Sequence, residues 1–316
     1  MKRLPSCAAI AAALSLVVPA ARAETDARDT EVLNYIPNNT VAALGYYRHT
    51  STSDREPQNL ASNQAVFRGA YVLKFGNVAF VPFDAYLPTA DVTLFSGART
   101  LHTSGMGDFT YLPTVAYFSQ QGENHTYVAF NPNLTMPTGS YDSSKLLNVG
   151  ANRWVIKPQV MIGQRFLRAF TAELVGNTSL FTVNPDISVP TPEGQTRARL
   201  HQDPTFGGEV HLAADLSTTF YVGASYYLTA NGKQRFDAPL NVNVDQPTVQ
   251  ALRFTAGIRV EKDTLLLLQY NQDLAASNEG SISRWFGARI SHSFSMSPEP
   301  NTPAQPAPPP PAEARR

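Results

Sequence analysis

Apolar and polar residues alternate with a period of two along most of this chain. The clearest stretch is 283–294, where Phe286, Ala288, Ile290 and Phe294 share a side broken only by His292. Gly287, Arg289, Ser291 and Ser293 share the other. Successive side chains of an extended strand point to opposite faces, so the pattern predicts a strand with one apolar and one polar face. Phe254, Ala256, Ile258 and Val260 alternate in the same way with Arg253, Thr255, Gly257 and Arg259. So do Val210, Leu212, Ala214 and Leu216 with Glu209, His211, Ala213 and Asp215. Twelve such segments are predicted, at 40–48, 66–75, 78–87, 108–118, 126–136, 153–164, 170–177, 207–216, 219–228, 252–260, 264–274 and 283–294. Each is about nine to eleven residues, the length a tilted strand needs to cross a bilayer. Pro82 and Pro132 fall inside two of them. Proline cannot donate to a ladder, so a bulge or an earlier strand end is expected at each.

The connections alternate in length. Tight turns are predicted at 76–77, 165–169, 217–218 and 261–263, and long polar loops at 49–65, 88–107, 137–152, 178–206 and 229–251. Loops of that length are uncommon in a compact domain. They are expected of a transmembrane barrel, with short turns on the periplasmic side and longer loops outside. An even strand count puts both termini on the periplasmic side. The fold class is therefore all-β: a single antiparallel transmembrane β-barrel of about twelve strands, apolar outside and charged within. A soluble sandwich would show the same alternation turned inward.

The first residues agree with that address. Lys2 and Arg3, an apolar run over 8–18 and then Ala21-Arg22-Ala23 read as a signal peptide cleaved after Ala23. The run is too short for a spanning helix, which takes about 20 apolar residues. Cys7 precedes that run, which argues against lipidation, and it leaves with the leader. The mature chain then has no cysteine, so neither a disulfide nor a thiolate metal site is expected. The leader removes three basic residues and no acidic ones, leaving a mildly acidic chain without a nucleic-acid footprint. Residues 24–39 read as a polar periplasmic lead-in, 40–294 as the barrel, and 295–316 as a proline-rich disordered tail.

Several motifs carry a family likeness: 109–117 (FTYLPTVAY), 135–142 (TMPTGSYD), 148–154 (NVGANRW), Lys157-Pro158 and Gln202-Asp203-Pro204. Together they resemble the phenol-degradation meta-pathway family, over about residues 46–294. The resemblance implies an outer-membrane barrel of a Gram-negative bacterium, of a kind described as transporting small, often aromatic or hydrophobic compounds. It brings no set of functional residues with it. The family often has a longer Gly/Pro-rich lead-in, so a plug built from 24–39 is not expected here. Barrels of this kind commonly end at the terminal aromatic, whereas this chain continues past Phe294, which bears on how the barrel-assembly machinery reads its end.

The candidate solute path is the inward set: Arg68, Lys74, Asp108, Arg153, Lys157, Glu173, Glu209, His211, Asp215, Arg253, Arg259 and Arg289. Charges at bilayer depth must pair or meet water, and in a pore they set what passes. Arg253, Arg259 and Arg289 would form a basic wall opposite Glu173, Glu209 and Asp215, giving a transverse field. The competing reading is an ion-pair network that merely fills a narrow barrel. Tyr46, Tyr71, Phe83, Tyr117, Trp154, Phe170, Phe220, Tyr226 and Trp285 fit interfacial girdles. His201-Gln202-Asp203 is too small a fragment for a metal site. Ser291-His292-Ser293 raises a barrel lipid hydrolase, but both serines face away from the imidazole's side, and no nucleophile-elbow or paired-carboxylate motif appears.

The reading is a passive outer-membrane channel for small, aromatic or hydrophobic solutes, with no enzyme activity, cofactor or metal. Its partners would be outer-membrane lipid, the solute, the assembly machinery and a periplasmic partner for the tail. The alternative is a structural or adhesive barrel that binds a partner through its outer loops or tail.

Overall fold

A strand crossing a bilayer must satisfy every backbone N–H and C=O internally, and only closing the sheet on itself leaves no edge. The computed structural model describes residues 25–52, 58–96, 99–120, 124–191, 194–277 and 282–296. Its strands are β1 (Thr40–Thr52), β2 (Gln58–Phe75), β3 (Val78–Ser96), β4 (Arg99–Met106), β5 (Thr110–Tyr111) and β6 (Thr114–Phe118). There follow β7 (His125–Thr135), β8 (Val155–Phe166), β9 (Phe170–Phe181), β10 (Asn184–Thr191), β11 (Gly194–Gln202) and β12 (Thr205–Asp215). The last six are β13 (Phe220–Ala230), β14 (Gln234–Phe236), β15 (Val242–Val244), β16 (Thr248–Glu261), β17 (Thr264–Ala276) and β18 (Ser283–Ser295). β1 pairs with both β2 and β18, so the antiparallel sheet closes. β4, β5 and β6 together act as one broken stave, which makes twelve staves.

The two faces sort as the alternation predicts. Phe67, Leu212, Phe254 and Ile290 stand exposed on the outer wall, while Glu173, His211, Arg253 and Arg289 are buried inside. That is the reverse of a soluble protein. It follows from lipid outside and a polar lumen within.

Two of the expected long loops are mostly strand. β1, β2, β3 and β4 carry the wall through most of 49–65 and 88–107, leaving short connections. Two other expected loops, 178–206 and 229–251, build a second sheet in the order β10-β11-β14-β15. Ile187, Val189, Ala198, Leu200, Phe236 and Val244 form its own core. It lies at the mouth, the end of the barrel opposite the tight turns. Apolar alternation in these segments serves local burial rather than the bilayer, and periodicity alone does not separate the two uses.

The prolines fall on one line. Pro132 faces Pro158 across β7 and β8. The flanking register (Val115↔Phe130, Val81↔Thr114) places Pro113 beside Pro132, and Pro82 beside Pro113. Proline opposite proline confines the missing donors to one outward-facing seam, so β7 runs through Pro132 unbroken. At Pro82 the expected irregularity is present, as a register shift between Tyr71 and Leu73 of the partner strand.

Two tyrosines lean across the inner wall onto glycines of the neighbouring strand. Tyr127 faces Gly163 and Tyr221 faces Gly257, and a Cβ at either glycine would sit inside the ring. The segments expected to be leader (1–23) and tail (295–316) lie outside the described residues, apart from Ser295 and Met296.

The inside–outside assignment is tested on β12. Leu212→Arg puts a charge on the lipid face near mid-strand and should cost about 2–4 kcal/mol of folding stability. Urea titration into lipid vesicles measures it, and a change below about 0.5 kcal/mol would contradict a lipid-facing position.

Candidate functional site

The lead-in does not lie outside the barrel, as the sequence suggested, but runs within it. Residues 25–36, with a short 3-10 turn at Glu31–Asn34, thread the lumen from mid-depth down to the rim where β1 begins. Acids of this segment meet the inward arginines of the wall. Asp26 Oδ1 accepts from Arg253 Nη1 and Gln269 Nε2, each at 2.8 Å, and its Oδ2 accepts from Arg289 Nη1 at 3.0 Å. Asp29 accepts from the same Arg289 nitrogen at 2.7 Å and lies 3.7 Å from Arg68. Lower down, Arg28 and Arg165 share Asp215, and both also pair with the fully buried Glu31. Lys74 Nζ donates to the Asn34 carbonyl at 2.7 Å.

Aromatic faces complete the setting. The Arg253 guanidinium lies over Tyr227 and Trp285, Arg289 over Tyr46, Arg68 over Tyr86 and Arg28 over Tyr221, at 4.4–5.6 Å from the ring centres. A guanidinium can stack on a ring while its edge N–H groups bond a carboxylate. Tyr46 and Trp285, expected in the girdles, are therefore lumen residues. Phe83, Tyr117, Trp154 and Phe170 stand exposed on the outside, in keeping with a girdle.

The twelve candidate residues separate into groups. Arg68, Lys74, Glu173, Glu209, His211, Asp215, Arg253 and Arg289 contact the lead-in or one another. Lys157 shares the inward side of β8 with Gln159. Arg259 faces inward but sits exposed at the turn rim, near the Thr218 carbonyl. Asp108 and Arg153 belong to the mouth rather than to the wall. Asp108 accepts from the Gly139 amide at 2.8 Å and the Ala151 amide at 2.7 Å. Arg153 donates to Gln202 at 2.6 Å and stacks on Phe181. They hold the 137–152 connection, whose TMPTGSYD and NVGANRW motifs thereby read as structural.

No opposed basic and acidic walls result. The lead-in supplies the acids that answer Arg253 and Arg289, and Asp215 is taken by Arg28 and Arg165. Asp26, Asp29, Glu31, Asp84 and Arg165 were not among the candidates. One signal could have found the first three: the inward set is richer in bases than acids, and 24–31 (ETDARDTE) is an acid-rich run beside it. His201 pairs with Asp237 and Asp203 with Arg235, and no cluster able to hold a metal occurs among the described residues.

Between the lead-in and the wall lies a cavity of about 280 Å³. Leu33, Ile36, Leu44, Val72 and Val81 give it apolar sides, and Arg68, Asp84 and Tyr86 a polar edge. Arg68 grips Asp84 bidentately at 2.7 and 2.8 Å.

Burial pushes the Asp26 carboxyl up, but Arg289 and Arg253 outweigh it, and the group is held below the usual carboxylate range. Its contribution is therefore present at neutral pH and is lost as the pH falls through that depressed value. Asp26→Ala leaves two guanidiniums short of a partner, at a cost of about 3–5 kcal/mol if the site stays dry. Hydrogen exchange should show the amides of 25–36 opening at least tenfold faster. An unchanged pattern would mean that the contact does not hold the segment.

The family model described as "Putative MetA-pathway of phenol degradation" matches residues 37–288. An outer-membrane channel from Pseudomonas putida F1 is similar in structure, with a TM-score of 0.74 at 22% identity over 86% of this chain and 100% of that one. A deletion mutant of the TodX monoaromatic hydrocarbon channel aligns with a TM-score of 0.49 at 10% identity, over 84% of this chain and 93% of that one, too distant to carry weight. No curated protein matches the sequence. The match covers most of the chain and all of the barrel but the end of β18, so this outer-membrane β-barrel belongs to the MetA-pathway phenol-degradation family.

Proposed function

We propose that the protein is an outer-membrane channel for small aromatic or hydrophobic compounds, with its turn rim and both termini in the periplasm. The observation that carries this reading is the lumen itself. Arg253 and Arg289 are matched by acids of a strap of chain, residues 25–36, which adds to cross-wall pairs such as Arg68–Asp84 and Arg165–Asp215. A barrel built only as a scaffold could close its interior with wall residues alone. Here the interior is kept wide enough to hold a peptide segment and a cavity beside it.

The cavity supports the solute class. Cavities of about 150 Å³ are large enough to take benzene, and this one combines apolar sides with charged and polar groups, Arg28, Asp29, Asp215 and Arg289 as well as Arg68 and Asp84. Such a site suits one ring bearing a hydroxyl or carboxyl group. The P. putida relative of similar fold is itself an outer-membrane channel. Passage needs no energy source, since a gradient across the membrane suffices.

Binding of a partner at the mouth is a second reading, favoured by the outer four-stranded sheet and its separate core. A hydrolase draws little support from the geometry. His292 bonds the Thr264 hydroxyl at 2.7 Å and packs on Phe294, while the Ser291 hydroxyl donates to the Leu265 carbonyl.

Planar-bilayer recording of the purified protein tests the channel. Small, noisy conductance is expected from the intact chain, and at least a threefold larger one after residues 25–36 are deleted. Liposomes holding the deleted form should equilibrate phenol or benzoate faster than empty ones. If neither form passes ions or either solute, the channel reading fails and the partner-binding one gains.

A further inference from the structure

Donors from three successive strands converge on one point of the lumen. Arg253 on β16, Gln269 on β17 and Arg289 on β18 are each more than nine-tenths buried, and all three donate to Asp26. Gln269 Nε2 also donates to the Thr255 hydroxyl at 3.4 Å, which turns the amide nitrogen toward the same point. Ring faces orient the guanidiniums. Arg253 lies over Tyr227 and Trp285 at 4.4 and 4.7 Å, and Arg289 over Tyr46 at 5.6 Å. An arginine stacked on rings keeps its edge N–H groups free to meet a carboxylate.

Arg68 and Arg165 differ, since each pairs with an acid of the wall, Asp84 or Asp215. Arg253 and Arg289 take carboxylates from the lead-in, at Asp26 and Asp29. Another cation, Arg48, lies over Trp285 at 4.1 Å. In the β1–β18 register Arg48 faces Gly287 and Thr50 faces Trp285, both nearer the mouth than the Tyr46–Arg289 pair. Positive charge and ring faces thus continue from the three donors toward the mouth.

We propose that Arg253, Gln269 and Arg289 form a binding site for a carboxylate carried on an aromatic ring, and that Asp26 fills it as an internal stand-in. The three groups present only N–H donors here, and they already bond both oxygens of one carboxylate. Trp285, Tyr227 and Tyr46 beside them offer faces and edges for a planar ring, which a chloride ion does not use. A solute acid in this site competes with Asp26, and by linkage it weakens the hold on the strap as much as the strap weakens its own binding. The site is distinct from the cavity described above, whose lining includes neither Arg253 nor Gln269. The inference deepens the channel reading and rests on it for the presence of a solute in the lumen.

Equilibrium binding of radiolabelled benzoate to the full-length chain purified in detergent tests the site, with phenol as a ring that lacks the carboxylate. Asp26→Ala should bind benzoate at least tenfold more tightly than wild type, and phenol within twofold of it. Arg253→Gln added to Asp26→Ala should remove the gain. Should Asp26→Ala not fold, Asp26→Asn keeps the shape of the side chain, removes its charge, and should gain at least threefold. Benzoate bound to wild type should speed amide exchange at 25–30, because solute and Asp26 need the same donors; sodium chloride at equal ionic strength should not. Equal benzoate affinity in wild type and the Asp26 variants would overturn the inference. So would a gain that phenol shares, one that survives Arg253→Gln, or exchange that benzoate leaves unchanged. Liposome flux of benzoate is read separately: binding without flux supports the site and fails the channel.

Discussion

Everything inside this barrel answers to one constraint, the need to match charge where water is scarce. Arg253 and Arg289 are almost wholly enclosed, and an uncompensated guanidinium there would cost several kcal/mol. The neighbouring strands offer mostly rings, which soften the field of a cation without cancelling its charge. The carboxylates come from Asp26 and Asp29, far away in sequence and close in space only because the lead-in turns into the lumen. The position of the strap is therefore a consequence of the wall's composition.

The wall is shaped to admit it. Tyr127 and Tyr221 lie down over Gly163 and Gly257, which keeps bulk against the sheet and leaves the axis open. Ladder donors are missing at the proline seam, yet the prolines face each other, so few carbonyls look for an N–H that is not there. On the outer face lipid asks nothing of the backbone that the ladder does not already supply. On the inner face, each strand contributes one side of a network that no pair of strands completes alone.

Two kinds of contact hold the strap. Ion pairs fix Asp26, Asp29 and Glu31, and apolar packing sets Leu33 and Ile36 against Ala70, Val72 and Val81. The lumen thus holds a filling of twelve described residues (25–36), joined to the wall by Asp26, Asp29 and Glu31 on one side and by Leu33 and Ile36 on the other.

Much of this was legible along the chain. The alternation at 207–216, 252–260 and 283–294 determined which side of each strand meets lipid, because a two-residue repeat has only two possible phases and only one hides Arg253, Arg289 and Glu209. The TMPTGSYD and NVGANRW motifs pointed to the family. Other features were decided in three dimensions. Tyr46 carries the same ring chemistry as a girdle residue, and the register of β1 against β18, which sets it opposite Arg289, turned it inward, whereas Trp285 shares the phase of Arg289 along its own strand. The segments 178–206 and 229–251 each form a hairpin, β10–β11 and β14–β15, and only the β11–β14 pairing joins the two into one sheet. Residues 25–36 look like a solvated leader remnant until the arginines that need their acids are brought around them. Local pattern fixes the face a residue presents. Which charges end up as partners depends on closure, since closure alone brings residues some 230–260 positions apart within hydrogen-bond reach.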